Sequence, residues 1–191
     1  MSYLINLAIV CIGRLLDNLS TLYGTPTLKL ESNPFMRKIG WKGHMPLEIL
    51  LCVVFAFNFY ASLFVFIISA LAAAGNFAQA WETRTFGEQQ VYEAKKQWVR
   101  RAEPRTIYSS YILHGIIMVV IGLVIIYLAQ SVAMYVVGLA LISYALVSTI
   151  YQLMAIRKLR KVKWRKLQPC LIYHSGSDTP YYSRHLPYFG S

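Results

Sequence analysis

The sequence predicts an all-α fold, an integral membrane four-helix bundle carrying cytoplasmic amphipathic and basic helical extensions. Three observations lead there. Of the 191 residues, 57% are hydrophobic and 14% charged, with a mean hydropathy of +0.45, whereas ordinary soluble domains carry about 25% charged residues. Four apolar stretches each reach the roughly 20 helical residues that a hydrocarbon core of about 30 Å requires. The Lys and Arg residues lie between and after these stretches, with Arg14 the exception.

The first span is read from Tyr3 to Tyr23. Met1 to Ile12 holds no Lys or Arg, unlike the n-region of a cleaved signal, so this helix is expected to be retained. Within it Arg14, Asp17, Asn18 and Thr21 stand at i, i+3, i+4 and i+7, one polar stripe on a helix about 100° wide. Ionisable groups at bilayer depth cost roughly 2.5–3.5 kcal/mol each on insertion scales, so the stripe should face a bundle interior, a partner or water. Arg14 and Asp17 at i, i+3 can neutralise one another as a structural pair.

After the first span, Asn33 is placed to cap a helix with Pro34 at its first position, opening an interfacial turn through Phe35 and Met36. Trp41 suits a headgroup anchor. The second span is read from Pro46 to Ala80 and is overlong for one crossing. The loop from Trp81 to Glu103 interleaves Glu, Gln, Lys and Arg with Phe86, Val91, Tyr92, Trp98 and Val99, a pattern for a helix on the membrane or against another subunit, ended by Pro104. The third and fourth spans, Ile107 to Ala129 and Val132 to Ile156, are separated by Gln130 and Ser131 and should form a tight antiparallel hairpin. The four spans and the basic stretch after them make a membrane domain over 1–167.

Beyond the fourth span Arg157, Lys158, Arg160, Lys161, Lys163, Arg165 and Lys166 form a juxtamembrane basic helix, for which anionic lipid headgroups are the expected partner, and no nucleic acid. Residues 168–191 turn to Tyr, Ser, Pro, Gly and His without period. They are read as an extended tail whose Tyr181, Tyr182, Tyr188 and Phe189 would contact other membrane protein subunits, since aromatic side chains dominate interface energies.

Charge placement predicts orientation. Lys29, Arg37, Lys38 and Lys42 follow the first span, while Arg84, Lys95, Lys96, Arg100, Arg101 and Arg105 follow the second, and eight more lie after the fourth. In a four-span topology the last two groups share a side, fourteen cations against four. The positive-inside rule then puts both termini in the cytoplasm of a plasma or inner membrane.

Asp17-x-x-x-Thr21, a short gap and Glu31-x-Asn33-Pro34, followed by a small apolar membrane domain, resemble an uncharacterised family of small prokaryotic multi-pass proteins. The resemblance covers about the first forty residues. It implies a shared Asp and Thr on the first helix and a shared Glu-x-Asn-Pro after it, and it implies no activity.

These residues define a polar cluster of Arg14, Asp17, Asn18, Thr21, Glu31 and Asn33, which the loop would fold together at the outer interface. His44 and Glu48, four apart around Pro46, would join Asp17 and Glu31 there as oxygen and imidazole ligands for a divalent metal. No zincin motif, nucleophile elbow, phosphate-cradling glycine loop, haem-holding histidine pair or dinucleotide fingerprint occurs, and the sequence names no cofactor. Cys11, Cys52 and Cys170 have no metal or disulfide-framework spacing. The expected function is that of a small accessory or scaffold subunit of a larger membrane assembly. The alternative is a membrane-embedded enzyme or metal-binding protein using the Asp/Glu/His cluster.

Overall fold

A computed structural model describes residues 2–161, and the tail 168–191, its four aromatic anchors, and Lys163, Arg165 and Lys166 lie outside the described residues. Six α-helices and no strand occur among the described residues: α1 (Tyr3–Gly24), α2 (Pro34–Phe55), α3 (Phe59–Phe86), α4 (Glu88–Arg101), α5 (Pro104–Tyr127) and α6 (Val132–Lys161). Four of them, α1, α3, α5 and α6, are long and apolar enough to cross a membrane. The described residues are therefore all-helical in class with four candidate membrane spans.

The expected second span is in fact two helices. The stretch from Pro46 to Ala80 breaks at Ala56–Asn58, where Asn58 caps α3 by accepting from the amides of Tyr60 at 2.8 Å and Ala61 at 3.2 Å. The Ser62 hydroxyl is within hydrogen-bond reach of the carbonyls of Phe55 at 2.9 Å and Asn58 at 3.0 Å, so these two carbonyls at the break are met locally. Asn33 caps α2 as expected, accepting from Phe35 and Met36, with Pro34 at the first turn. Gly40, at φ 65° and ψ −178°, bends α2 into a short entry turn and a main helix, a conformation that a Cβ would oppose. The Trp41 indole donates to the Pro26 carbonyl at 3.1 Å and ties the entry turn to the loop after α1.

This break changes the course of the chain. The main part of α2 descends antiparallel to α1, pairing His44 with Asn18, Glu48 with Arg14, and the Val53 carbonyl with the Tyr3 hydroxyl. The next helix, α3, then runs parallel to α1, with Phe66 against Gly13, Asn76 against Ser20 and Thr21, and Ala80 against Gly24. At Gly13 an added Cβ would fall 2.9 Å from the Phe66 Cα, so the two backbones are in near contact. The third and fourth spans make the expected antiparallel hairpin: Gly122 faces Gly138 and Ile142, and Gly115 faces Thr149. The α6 helix also packs on α3, bringing Tyr144 to Gly75.

One end of the molecule thus holds the loop after α1, all of α4, the start of α5 and the end of α6. The other holds the start of α1, the Ala56–Asn58 break and the α5–α6 turn. The expectation that the first two loops lie on opposite sides fails, because Glu88 of α4 accepts from the backbone amides of Thr27 at 3.0 Å and Lys29 at 2.9 Å. Lys29, Arg37, Lys38 and Lys42 therefore belong to the same end as the other loop cations. Counting four spans missed the return made by α2.

Candidate functional site

Three helices supply the central polar site. Arg14 projects from the middle of α1, and its Nε and Nη2 donate to both carboxylate oxygens of Glu48 on α2, a bidentate pair. Its Nη1 reaches Asp17 Oδ2 at 3.0 Å and Ser69 Oγ on α3 at 3.1 Å. The Glu48 side chain is 7% exposed and that of Arg14 17%, so the pair is withdrawn into the bundle. One guanidinium thereby joins α1, α2 and α3 in fixed register.

Around this centre the polar groups are chained. His44 Nε2 lies 2.9 Å from both Glu48 Oε1 and Asn18 Oδ1. Both neighbours are acceptors, which assigns the proton to Nε2 and leaves Nδ1 as a buried atom with no hydrogen-bond partner among the described residues. One turn along α1, Asn76 Nδ2 donates to Thr21 Oγ1 at 2.9 Å and Ser20 Oγ at 3.2 Å, a second polar knot between α1 and α3.

The expected cluster divides into three. Arg14 and Asp17 are together, with Asn18 joined to them through His44 and Glu48; Thr21 belongs to the Asn76 knot; Glu31 and Asn33 stay in the loop. The Glu31 carboxylate accepts from the Asn33 amide at 2.8 Å, while Asn33 caps α2. No hydrogen bond or ion pair among the described residues links either of them to Arg14. The expected metal set of Asp17, Glu31, His44 and Glu48 does not assemble: among the described residues no group of three or more His, Cys, Asp or Glu side chains is placed to hold an ion. Arg14 bonds both Glu48 oxygens and one of Asp17.

The sequence reading missed three residues. Ser69 and Asn76 belong to a polar series on α3, Ser62, Ser69, Asn76 and Thr83, spaced by seven residues and turned toward the interior. That spacing was the available signal, since a seven-residue repeat keeps one face toward a neighbouring helix. Glu88 had no such signal. It gathers Thr25 Oγ1, Thr27 Oγ1 at 2.8 Å and the two loop amides around one carboxylate. Partial burial pushes its pKa up, but these hydrogen bonds outweigh it and hold the carboxyl below its ordinary value.

The basic residues at the end of α6 also divide. Arg157 and Lys158 are exposed, whereas Arg160 donates to the α4 carbonyls of Val99 at 3.1 Å and Ala102 at 2.6 Å. Arg160 thus closes the C-terminus of α4. Lys161 is the last residue of α6. Between the loop after α1, α4 and α6 lies a cavity of about 300 Å³ that includes Glu31 and Lys158 in its lining.

Comparison of the chain with protein-family models, curated proteins and solved structures returns no match. The resemblance carried by Asp17, Thr21, Glu31, Asn33 and Pro34 is not extended by these comparisons.

Proposed function

We propose that the protein is a small accessory or scaffold subunit of a larger membrane assembly. The observation that supports this reading most is the closed character of the intramembrane charge: Arg14, Glu48 and Asp17 satisfy one another across α1 and α2, with Ser69 of α3. Such a centre fixes helix register and ties both oxygens of Glu48 to one guanidinium, whereas a catalytic or metal site keeps an open position. The apolar faces of α1, α2 and α5, with Leu15, Ile49, Ile116 and Leu123 all exposed, are available to lipid and to neighbouring helices. The aromatic tail around Tyr181 and Tyr188 is proposed as the partner contact on sequence grounds.

The orientation we favour has the basic end in the cytoplasm and the N-terminus on the other side of a plasma or inner membrane. It rests on the positive-inside rule applied to the new grouping: up to Lys161, every Lys and Arg except Arg14 belongs to that end. Anionic lipids are its natural counter-charge.

Purification from native membranes in mild detergent tests the function. Stoichiometric co-purification of other membrane subunits, lost on truncation after Pro169, is the expected result. A lone monomer carrying stoichiometric metal would overturn the scaffold reading in favour of the metal-binding alternative.

A further inference from the structure

The cavity at the basic end is unlike the rest of the molecule. At about 300 Å³ it reaches the lower bound of small-ligand pockets, about 300–1,000 Å³. Four of its lining residues are cations: Lys29, Arg37, Lys95 and Lys158. Two of these are held by the protein, Lys29 on Gln89 at 2.7 Å, and Lys95 on Gln79 at 3.0 Å and Glu82 at 3.5 Å. The side chains of Arg37 and Lys158 form no hydrogen bond or ion pair among the described residues, although both border the same space and Arg37 lies within electrostatic reach of Glu31. Two like charges on one cavity repel, and a bound anion relieves that cost.

The one carboxylate in the lining offers little opposition. Glu31 is turned to its own loop, accepting from the Asn33 amide, and burial pushes its carboxyl above the ordinary range even though that hydrogen bond and the charge of Arg37 pull the other way. Neutral donors complete the lining, with Asn76 and Gln79 on α3 and Gln152 on α6. The lining also has apolar members on the membrane helices: Tyr111 of α5 and Ala155 and Ile156 of α6, within one turn of Lys158. A ligand suited to this lining has an anionic head for Arg37 and Lys158 and an apolar body to set against Tyr111, Ala155 and Ile156.

We propose that this cavity binds the phosphate group of an anionic amphiphile, a phospholipid or another phosphorylated lipid, held between Arg37 after α1 and Lys158 at the end of α6. The site lies on the protein whether or not it serves as a subunit. It differs from the general attraction of a basic surface for anionic membranes because it needs two particular cations rather than a total charge.

The full chain in phosphatidylcholine nanodiscs, titrated with phosphatidic acid and read by native mass spectrometry, tests this. The wild type should retain phosphatidic acid, and Arg37→Gln with Lys158→Gln should weaken retention about tenfold or more, as the loss of charged hydrogen bonds implies. The paired control is Lys38→Gln with Lys42→Gln, which removes the same charge from exposed positions at the same end that do not line the cavity. This control should retain the lipid, and both double variants should keep wild-type helicity and monodispersity. Displacement of the lipid only by phosphorylated lipids supports the amphiphile. Displacement by inorganic phosphate at equal concentration keeps the phosphate site and assigns it to a soluble ligand, overturning the lipid part. Equal loss in both double variants, or no preference over phosphatidylcholine, overturns the proposal entirely.

Discussion

At the scale of single residues, Arg14 sets the terms, since a guanidinium at mid-helix depth needs carboxylates and finds two. Its bonds to Glu48 are double and that to Asp17 single, so the two acids should not be equivalent. Glu48→Gln should destabilise the fold by about 3 kcal/mol, the order seen when one partner of a buried pair is removed, and Asp17→Asn by about 1 kcal/mol, near the worth of one hydrogen bond. Thermal unfolding in detergent measures both, and equal losses would contradict the assigned geometry. The Arg14–Asp17 contact could be read from the sequence because i, i+3 spacing is local. The Glu48 contact could not, because it depends on where α2 returns, and Glu48 was instead grouped with metal ligands.

Between elements, two joints carry the architecture. The first is the hold of Glu88 on the loop after α1. Its carboxyl pKa is depressed in the folded protein relative to an ordinary 4.5, so its stabilisation is complete above that ordinary value and is lost as pH falls through the lower folded value. Hydrogen-exchange protection of the Thr27 and Lys29 amides should therefore drop in acid of that range, and Glu88→Gln should show reduced protection already at neutral pH. The second joint is the α5–α6 hairpin. A Cβ at Gly138 would fall 2.7 Å from the Gly122 carbonyl oxygen, which as backbone cannot turn aside. Gly138→Val should cost about 2 kcal/mol by overpacking, read as a lowered Tm. The hairpin was readable from two apolar runs with a minimal turn between them. The Ala56–Asn58 break was not, since a single Asn in an apolar run does not interrupt hydropathy, and only its two accepted amide bonds disclose a cap.

For the molecule as a whole, the charge distribution and the chain path now agree. Cysteine accessibility in sealed cells measures this directly, in a background with the native cysteines replaced. Lys42→Cys and Lys96→Cys should both be protected from an external reagent, and Phe57→Cys and Gln130→Cys should both react. Labelling of Lys42→Cys and Lys96→Cys from opposite sides would contradict the parallel course of α1 and α3. Composition and segment length sufficed for the membrane class and four of the six helices. Topology was beyond them because a main α2 segment of fifteen residues, about 22 Å long at 1.5 Å per residue, is too short to register as a span yet long enough to reverse the chain.

The pairing of Arg14 with a residue 34 positions later also bears on how the protein is made. Translation proceeds at about 5–20 residues per second, so Glu48 follows Arg14 by roughly 2–7 s. During that interval α1 is a charged segment with only Asp17 beside it. The first stable unit to enter the bilayer is then expected to be the α1–α2 hairpin and not α1 alone. Nascent chains arrested before Glu48 clears the ribosome should leave α1 extractable from the bilayer, and chains arrested after it should not.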